Sequence, residues 1–280
     1  MFITAKRRGD RFLSQAIGKR FIIIPPQGNL VEDSTLFLFD DVTGLGIDYP
    51  PDLVKILSKN NEPTVIYDAQ ELANDLAGLL PISMNLTVLD GGGVLAYLFL
   101  KKAGYEGSVR DIVKVERNYI SGKPFCSLEG KFNFFPELII DDILASGQTL
   151  ITALKSCEVT SEFACLLASS NITKGEQGCR IRERSTIEGI SKMYCSQFVN
   201  GPSRQGGGNM KPSILSLRYL LTKAIDNNDY SEGYLARKFG GLERAKEICS
   251  LLNEINREPI DVLRKDPWAF LRAYGEKVKK

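Results

Sequence analysis

Two adjacent carboxylates, Asp141 and Asp142, follow the apolar run of residues 138–140. A loop of small and hydroxyl-bearing residues comes shortly after them, and the pattern then becomes apolar again. That loop consists of Ala145, Ser146, Gly147, Gln148 and Thr149. Backbone N–H groups at the start of a helix bind phosphate, whereas carboxylates suit the hydroxyls of a sugar, directly or through hydrated Mg²⁺. The stretch therefore predicts a site that grips a sugar phosphate.

A second segment, residues 86–104, has the same order of apolar run, small loop and apolar run. Its expected loop holds Asp90, Gly91, Gly92 and Gly93. Three glycines permit combinations of dihedral angles that other residues resist, so the segment is a second candidate anion loop. A generic nucleotide-binding domain that uses this loop as its phosphate turn is an alternative. It fits less well, because Ala96 at the last position of GxGxxG gives only the degenerate form of that motif.

The first segment resembles a known family signature. An apolar run, two acids, three residues, Ser, Gly, any residue and Thr is the phosphoribosyl-diphosphate (PRPP) signature of type I phosphoribosyltransferases, and every constrained position matches. The similarity extends loosely over roughly residues 60–200. It implies that Asp141 and Asp142 are the catalytic residues, hold the ribose 2- and 3-hydroxyls and bind Mg²⁺ through water. It also implies that residues 145–149 cradle the 5-phosphate.

The same resemblance implies a pyrophosphate site. In the family the loop that corresponds to residues 90–93 binds the pyrophosphate of PRPP with its backbone. Residues 108–131 would then contain a flexible arm that closes over the leaving pyrophosphate. Arg117 and Lys123 are the candidate cations of this arm, and a solvated surface charge is the competing interpretation of each.

The implied activity is that of a phosphoribosyltransferase, a glycosyltransferase of nucleotide metabolism. Such an enzyme moves ribose 5-phosphate from PRPP to a nucleobase-like acceptor and releases pyrophosphate. The protein must mainly position both partners, neutralise the pyrophosphate and exclude water. The 6-oxopurine members carry an acid at the position of Ala145, and the acceptor stays open. The alternative is a PRPP-sensing regulator or a catalytically inactive relative.

The composition excludes several other kinds of site. The 280 residues carry a net charge of +2 and include no histidine, which removes Ser-His-Asp and Cys-His catalysis and histidine-ligated metals. The six cysteines form no CxxC pair, so the spacing of a zinc site is absent. No apolar run is long enough to span a bilayer, and the start lacks the apolar core of a signal peptide. We therefore expect a cytoplasmic protein with no membrane partner.

Strands and helices alternate along the middle of the chain. This order predicts an α/β fold with a mostly parallel sheet flanked by helices, and the resemblance implies its phosphoribosyltransferase-like form. Residues 121–136 are expected to form a polar, turn-rich connection. Strands are expected within 20–26, 34–41, 64–67, 86–93, 108–120, 138–141, 162–170 and 185–199, and helices over 50–59, from 68 to 81, over 94–104 and from 150 to 156.

A Gly-rich break at residues 199–213 separates this core from segments with helical spacing. The predicted organisation is an N-terminal stretch of strands and candidate hood (1–60), an α/β core (61–205) and an all-helical C-terminal extension (206–280). The break is a linker or, alternatively, a mobile lid. The sequence leaves open a nucleic-acid or protein partner for the C-terminal helices, and also a homodimer.

A second acidic pair, Asp40 and Asp41, also ends an apolar run. Thr43 and Gly44 follow it two residues sooner than the Ser-Gly of the signature, and no helix-like segment begins directly after them. We therefore expect a strand end and a turn there, with a contact to substrate as the alternative.

Overall fold

The computed structural model describes fifteen stretches of the chain. They are residues 21–24, 36–47, 52–53, 56, 64–81, 85–120, 123–129, 136–145, 147–157, 159–169, 181–182, 187–199, 213–225, 239 and 241–275. Ser146 and the Gly-rich break around residues 200–212 lie outside the described residues, and so do most of residues 1–60.

Eleven strands form within the described residues. They are β1 (Phe21–Ile24), β2 (Leu36–Asp40), β3 (Thr64–Asp68), β4 (Asn85–Leu89), β5 (Ser108–Ile120), β6 (Lys123–Glu129), β7 (Leu138–Leu144), β8 (Ser161–Ser169), β9 (Ile181–Arg182), β10 (Ile190–Val199) and β11 (Ser213–Ser216). Helices alternate with many of them. They are α1 (Ala69–Ala77), α2 (Asp90–Lys102), α3 (Gln148–Leu154), α4 (Leu217–Ile225), α5 (Leu242–Leu252), α6 (Glu258–Lys265) and α7 (Pro267–Gly275).

The larger sheet has seven strands in the order β6-β5-β4-β7-β8-β10-β9. Its five inner strands are parallel, and the two edge strands, β6 and β9, run antiparallel to their neighbours. Successive side chains of a strand point to opposite faces, and both faces are covered here. Ile140 packs in one cluster with α1 and α2, while Ile139 packs in another with α3. The predicted α/β fold, a mostly parallel sheet flanked by helices, is confirmed.

The smaller sheet has four strands in the order β1-β3-β2-β11. Strands β3, β2 and β11 are parallel, and β1 runs antiparallel to β3. These strands come from all three of the segments 1–60, 61–205 and 206–280. One face, including Phe37 and Phe39, packs in the same cluster as α1 and α2. The other, including Leu36 and Leu38, packs against α4, α5 and α6. The smaller sheet therefore lies between the helices of the larger sheet and the C-terminal helices.

Local sequence explains how the elements begin and end. Asp68 ends β3 and caps α1, because its Oδ1 accepts a hydrogen bond from the N–H of Glu71 at 2.9 Å. Of the helix predicted over 50–59, Asp52, Leu53 and Ile56 are helical, and the remainder lies outside the described residues. None of the helices in the described stretches has the length and apolarity that a bilayer span requires.

Two segments differ from their predicted structure. Residues 123–129, expected in a connection, form β6, which pairs with β5 from Ile120↔Lys123 to Lys114↔Glu129. The helices expected after residue 205 are present, but residues 213–216, expected to be helical, form β11 and pair with Leu36–Phe39 of β2. Both strands lie at the edge of a sheet, where pairing with one existing neighbour stabilises a short or irregular strand.

Candidate functional site

Strand β7 places Asp141 level with the last residue of its neighbour β4, Leu89, and Asp142 beyond it. The register between the two strands runs from Leu86↔Leu138 to Val88↔Ile140, after which β4 ends and α2 begins. On its other side β7 stays paired with β8 as far as Leu144↔Ala168. The prediction that the strand stops at residue 141 is therefore wrong, because β8 continues to pair with it to Leu144. The acids lie at the carboxyl end of β4, where open α/β sheets bind ligands.

Both acidic side chains are buried and oriented by the backbone. Asp141 is 8% exposed and Asp142 is 5% exposed. The N–H of Asp142 donates to Asp141 Oδ1 at 2.9 Å, and the N–H of Ile143 donates to Asp142 Oδ1 at 2.7 Å. In each carboxylate, Oδ1 thus accepts a hydrogen bond from the main chain, which fixes the direction in which Oδ2 points.

The first turn of α2 lies against this acidic pair. Residues 90–93, predicted to form a loop, are helical, so that prediction is wrong. None of the three glycines has a positive φ, whereas Asp90 does, at 48°. Glycine is needed here for space: a Cβ on Gly92 would lie 2.5 Å from Asp142 Oδ1, and one on Gly93 would lie 2.5 Å from the carbonyl oxygen of Ile140. The helix can therefore start close to β7 only with glycine at both positions.

An arginine from the C-terminal segment completes the cluster. Arg218, in the first turn of α4, places Nη2 3.2 Å from Asp142 Oδ2 and Nε 3.4 Å from Asp41 Oδ2. Its backbone N–H also donates to Asp41 Oδ1 at 2.9 Å. Arg218 thus connects the two sheets, because it contacts Asp41, which follows β2 of the smaller sheet, and Asp142, which lies in β7 of the larger sheet.

Sequence reasoning missed Arg218, and no local signal could have found it. It is one arginine in the helical pattern of residues 212–227, separated from Asp41 by 177 positions and from Asp142 by 76. Its surroundings decide its charge. Burial acts to lower the pKa of Arg218, but Asp142, Asp41 and Asp90 outweigh that effect and raise it, so the guanidinium stays protonated.

The two residues of the second acidic pair, Asp40 and Asp41, have different surroundings. Asp40 accepts hydrogen bonds from the N–H of Val42 and from the N–H and Oγ1 of Thr43, at 2.8–3.3 Å. The strand end and turn predicted here are therefore confirmed. Asp41 is completely buried instead. Burial raises the pKa of Asp41 to about 7, Asp142 and Asp40 add to the rise, and Arg218 opposes it.

The predicted phosphate loop forms a tight turn between β7 and α3. Gly147 has a φ of 70°, in the left-handed region that favours glycine, and its carbonyl oxygen accepts the N–H of Ile151 at 2.8 Å. Ala145, Gln148 and Thr149 are half-buried around that turn. Gln148 is the first residue of α3, which follows the turn directly. The role of these residues in binding phosphate stays a prediction.

The two candidate cations of the arm lie on a β-hairpin. Arg117 is in β5 opposite Cys126, and Lys123 begins β6 opposite Ile120. Their side chains lie outside the described part of the structure. Their contact with pyrophosphate accordingly stays a prediction.

The donor chemistry of the site suits Mg²⁺ bound through water. Carboxylate oxygens are the ligands that this hard cation prefers, and it usually keeps several of its waters. Asp141 and Asp142 supply such oxygens, although Arg218 holds Asp142 Oδ2. Among the described residues, no group of three or more His, Cys, Asp or Glu side chains is placed to hold a metal ion directly. A hydrated ion on two carboxylates therefore fits the residues, and a dehydrated, fully protein-bound one does not.

No protein-family model and no curated protein matches the sequence. A hypothetical protein from Neisseria gonorrhoeae with bound ppGpp is a similar solved structure, 10% identical with a TM-score of 0.32 over 78% of this chain and 97% of that one. A hypoxanthine phosphoribosyltransferase from Staphylococcus aureus is 18% identical, with a TM-score of 0.32 over 47% and 73% of the two chains. A purine phosphoribosyltransferase from Pyrococcus horikoshii is 15% identical, with a TM-score of 0.29 over 65% of this chain and 92% of that one. At TM-scores this low, these similarities carry no conclusion about the function of this chain.

Proposed function

We propose that this protein is a phosphoribosyltransferase, which binds PRPP and transfers its ribose 5-phosphate group to a nitrogenous base with release of pyrophosphate. The position of Asp141 and Asp142 carries the proposal. They lie at the carboxyl end of β4, between the glycine turn of α2 and the turn at Gly147. Two carboxylates between two glycine-containing strand–helix junctions suit a pentose that carries phosphate at both ends.

Each part of the ligand has its own residues in this proposal. Asp141 and Asp142 hold the ribose hydroxyls and stabilise the positive charge that develops on the sugar as the bond to pyrophosphate breaks. Residues 145–149 hold the 5-phosphate, and the start of α2 holds the pyrophosphate. Arg117 and Lys123 of the β5–β6 hairpin supply positive charge to the leaving pyrophosphate. When bound, Mg²⁺ neutralises part of the pyrophosphate charge.

The reaction also suits what the sequence lacks. The chain has no histidine, so a mechanism that depends on an imidazole base is excluded. Displacement of pyrophosphate by a ring nitrogen needs positioning, charge neutralisation and exclusion of water more than proton transfer by the protein. The low exposure of both acids, 8% and 5%, gives their charges a strong effect on a sugar that reaches them.

The proposal is tested first by binding and then by turnover. PRPP with Mg²⁺ is expected to raise the melting temperature, because a ligand that binds only the folded state stabilises it. Pyrophosphate release is then followed with a panel of purine and pyrimidine bases. Release with one base identifies the acceptor and supports the enzyme. A melting temperature that stays constant across a PRPP titration would contradict the proposal.

The assignment of Asp142 is tested by Asp142→Asn, which keeps the size of the side chain and removes its charge. We expect weaker PRPP binding with the fold intact. Asp111→Asn is the matched control, because Asp111 also lies in a strand of the larger sheet and accepts the N–H of its own successor, Ile112, at 2.9 Å. Equal PRPP affinity in the two variants would refute the role of Asp142.

One observation favours a second candidate, a PRPP-sensing regulator without transferase activity. Asp142 already has a partner in Arg218, so a ligand must displace an ion pair to reach it. A regulator would bind PRPP and change conformation without transferring the sugar. Binding without pyrophosphate release for any base in the panel favours this candidate over the enzyme.

A further inference from the structure

Arg218 has one anchored side and one side that can exchange its partner. Asp41 holds the anchored side, because its Oδ1 accepts the backbone N–H at 2.9 Å and its Oδ2 lies 3.4 Å from Nε. The outer end of the guanidinium is bound differently. Within the described residues its hydrogen bond goes from Nη2 to Asp142 Oδ2, at 3.2 Å. Loss of that single contact would leave the arginine in place and free its outer nitrogens.

The outer end lies over the start of α2. Arg218 Nη1 is 3.7 Å from the position that a Cβ on Gly91 would occupy. This is the segment to which the proposed function assigns the pyrophosphate. The side chain of Arg218 is 24% exposed, whereas those of Asp41 and Asp142 are 0% and 8% exposed. Arg218 is therefore the most exposed member of this ion-pair network, and its outer nitrogens, not the buried Nε, are the ones that an incoming anion can reach.

The charges around Arg218 are unbalanced. Even when Asp41 is protonated, two carboxylates, Asp90 and Asp142, act on this one guanidinium. A ligand that brings a divalent cation would supply the missing positive charge to the acids. A guanidinium binds phosphate oxygens in a planar, two-pronged geometry, so it can exchange a carboxylate for a phosphate without losing hydrogen bonds.

We propose that Arg218 is a binding residue for the diphosphate of PRPP, and that it leaves Asp142 when the ligand binds. Asp142 then turns to the sugar and its hydrated cation, while Arg218 keeps Asp41 and bonds the diphosphate through its outer nitrogens. The C-terminal segment thereby supplies a cation to the site. The inference rests on the proposed function, because it assigns one further residue to the same ligand.

The test compares two ligands that differ in the diphosphate. Calorimetric affinities for PRPP with Mg²⁺ and for ribose 5-phosphate are measured with the wild type and with Arg218→Met. Hydrogen bonds to charged groups imply a loss of about tenfold to a hundredfold in PRPP affinity. The affinity for ribose 5-phosphate is expected to stay constant or rise, because Asp142 is no longer paired. Arg272→Met, the same change on an exposed part of α7, is the control and should alter neither affinity.

Each other outcome has a definite meaning. An equal loss for both ligands would show that Arg218 only holds the two sheets together. A higher affinity of Arg218→Met for both ligands would show that Arg218 only blocks the site. Either result overturns the inference while the proposed function stands. A wild type that binds neither ligand overturns the proposed function itself.

Loss of the buried charge opposite Asp41 can prevent Arg218→Met from folding. In that case Arg218→Lys provides the test, because lysine keeps the positive charge but cannot form the paired hydrogen bonds of a guanidinium. It should lose affinity for PRPP selectively over ribose 5-phosphate. An unchanged ratio of the two affinities in this variant contradicts the inference.

Discussion

The absence of a side chain on Gly92 allows the first turn of α2 to lie directly against Asp142. A Cβ there would lie 2.5 Å from Oδ1, 2.7 Å from Cγ and 2.9 Å from Oδ2 of Asp142. All three distances are too short for real Cβ contacts, so either the helix or the acid must move. Because β7 is paired with β8 as far as Leu144, the backbone of Asp142 is held in place, and a Cβ on Gly92 would push its carboxylate out of its present position or move the helix.

Gly92→Ala is therefore expected to destabilise the protein and to displace Asp142. Overpacking of this kind costs about 1–3 kcal/mol of unfolding free energy, measured by urea denaturation. Gly78→Ala is the matched control. Its Cβ would meet only the carbonyl oxygen of Asp75, at 3.6 Å, and its φ of −72° suits alanine, so a gain of about 0.4–1 kcal/mol is expected. Equal effects of the two changes would contradict the close packing of α2 on β7.

Asp41 gives the stability of the protein a pH dependence near neutrality. Burial first, and then Asp142 and Asp40, raise its pKa from 3.8 to about 7 against the opposing effect of Arg218. Between these pH values the folded protein holds a proton that the unfolded chain releases. Its contribution to the unfolding free energy is therefore complete below about pH 4 and is lost as the pH rises through about 7.

Asp41→Asn is expected to remove this part of the pH dependence. The sequence has no histidine, so no imidazole titrates in the background between pH 5 and 8. The urea midpoints of the wild type and the variant are measured at several pH values from 5 to 8.5. The difference between the two midpoints is expected to change most steeply near pH 7. Asp40 also has a raised pKa, mainly through burial, and it is present in both proteins, so only the part of its titration that depends on Asp41 enters the difference. Parallel curves for the two proteins would refute the assignment.

At the scale of elements, the C-terminal helices are part of the main core. Phe270 of α7 is completely buried in the cluster that also contains Leu98 of α2, and it stacks on Tyr274 with ring centroids 4.3 Å apart. Leu263 of α6 lies over the start of α2, where its Cγ is 3.3 Å from the Cβ position of Gly91. The helices that follow the Gly-rich break therefore cover the same helix that opens the candidate site.

Phe270→Ala is expected to reduce the unfolding free energy by about 3–5 kcal/mol, because it leaves a cavity in that core. Trp268→Ala, on the same helix but 37% exposed, should cause a much smaller loss. Circular dichroism during urea denaturation measures both variants. A small effect of Phe270→Ala would indicate that α7 contributes little to the stability of the core.

The elements show which parts of the fold were predictable. The strands that alternate with helices, such as β3 and β8, have apolar runs and turn residues that define them locally. Strand β6 has a mixed sequence, with Pro124 inside it, and exists because β5, which ends three residues before β6 begins, offers a partner. In β11, Ile214 and Leu215 are both buried because both faces of the smaller sheet are covered, so no alternation marks the strand.

In the candidate site too, features that belong to a local motif were predictable, and contacts that depend on tertiary packing were not. The acids of β7 and the glycines of α2 belong to short motifs that mark strand–helix junctions, although the sequence placed the glycines in a loop and ended the strand at residue 141. Arg218 does not, because its contact with Asp142 depends on the packing of the two sheets. The steric role of Gly92 likewise needs the distance between α2 and β7, which sequence spacing does not contain.

At the scale of the whole molecule, the smaller sheet joins parts of the chain that are far apart in sequence. Its strands come from residues 21–40, 64–68 and 213–216, and its two faces belong to two different apolar clusters. Arg218 links it further to the larger sheet through Asp41 and Asp142. Separation of the C-terminal segment would therefore remove a strand, an ion-pair network and the cover of α2 together. Such shared dependence favours a single unfolding transition.

Trp268, the only tryptophan of the sequence, makes this prediction measurable because it lies on α7. Its fluorescence reports the C-terminal helices, while far-ultraviolet circular dichroism reports all helices and strands. We expect the two signals to give the same urea midpoint, and Phe270→Ala to shift both midpoints by the same amount. If residues 206–280 formed an independent extension, fluorescence would change at its own urea concentration, and Phe270→Ala would move that midpoint alone. Coincident transitions would instead show that the segment carrying Arg218 folds as one unit with the strands that carry Asp41 and Asp142.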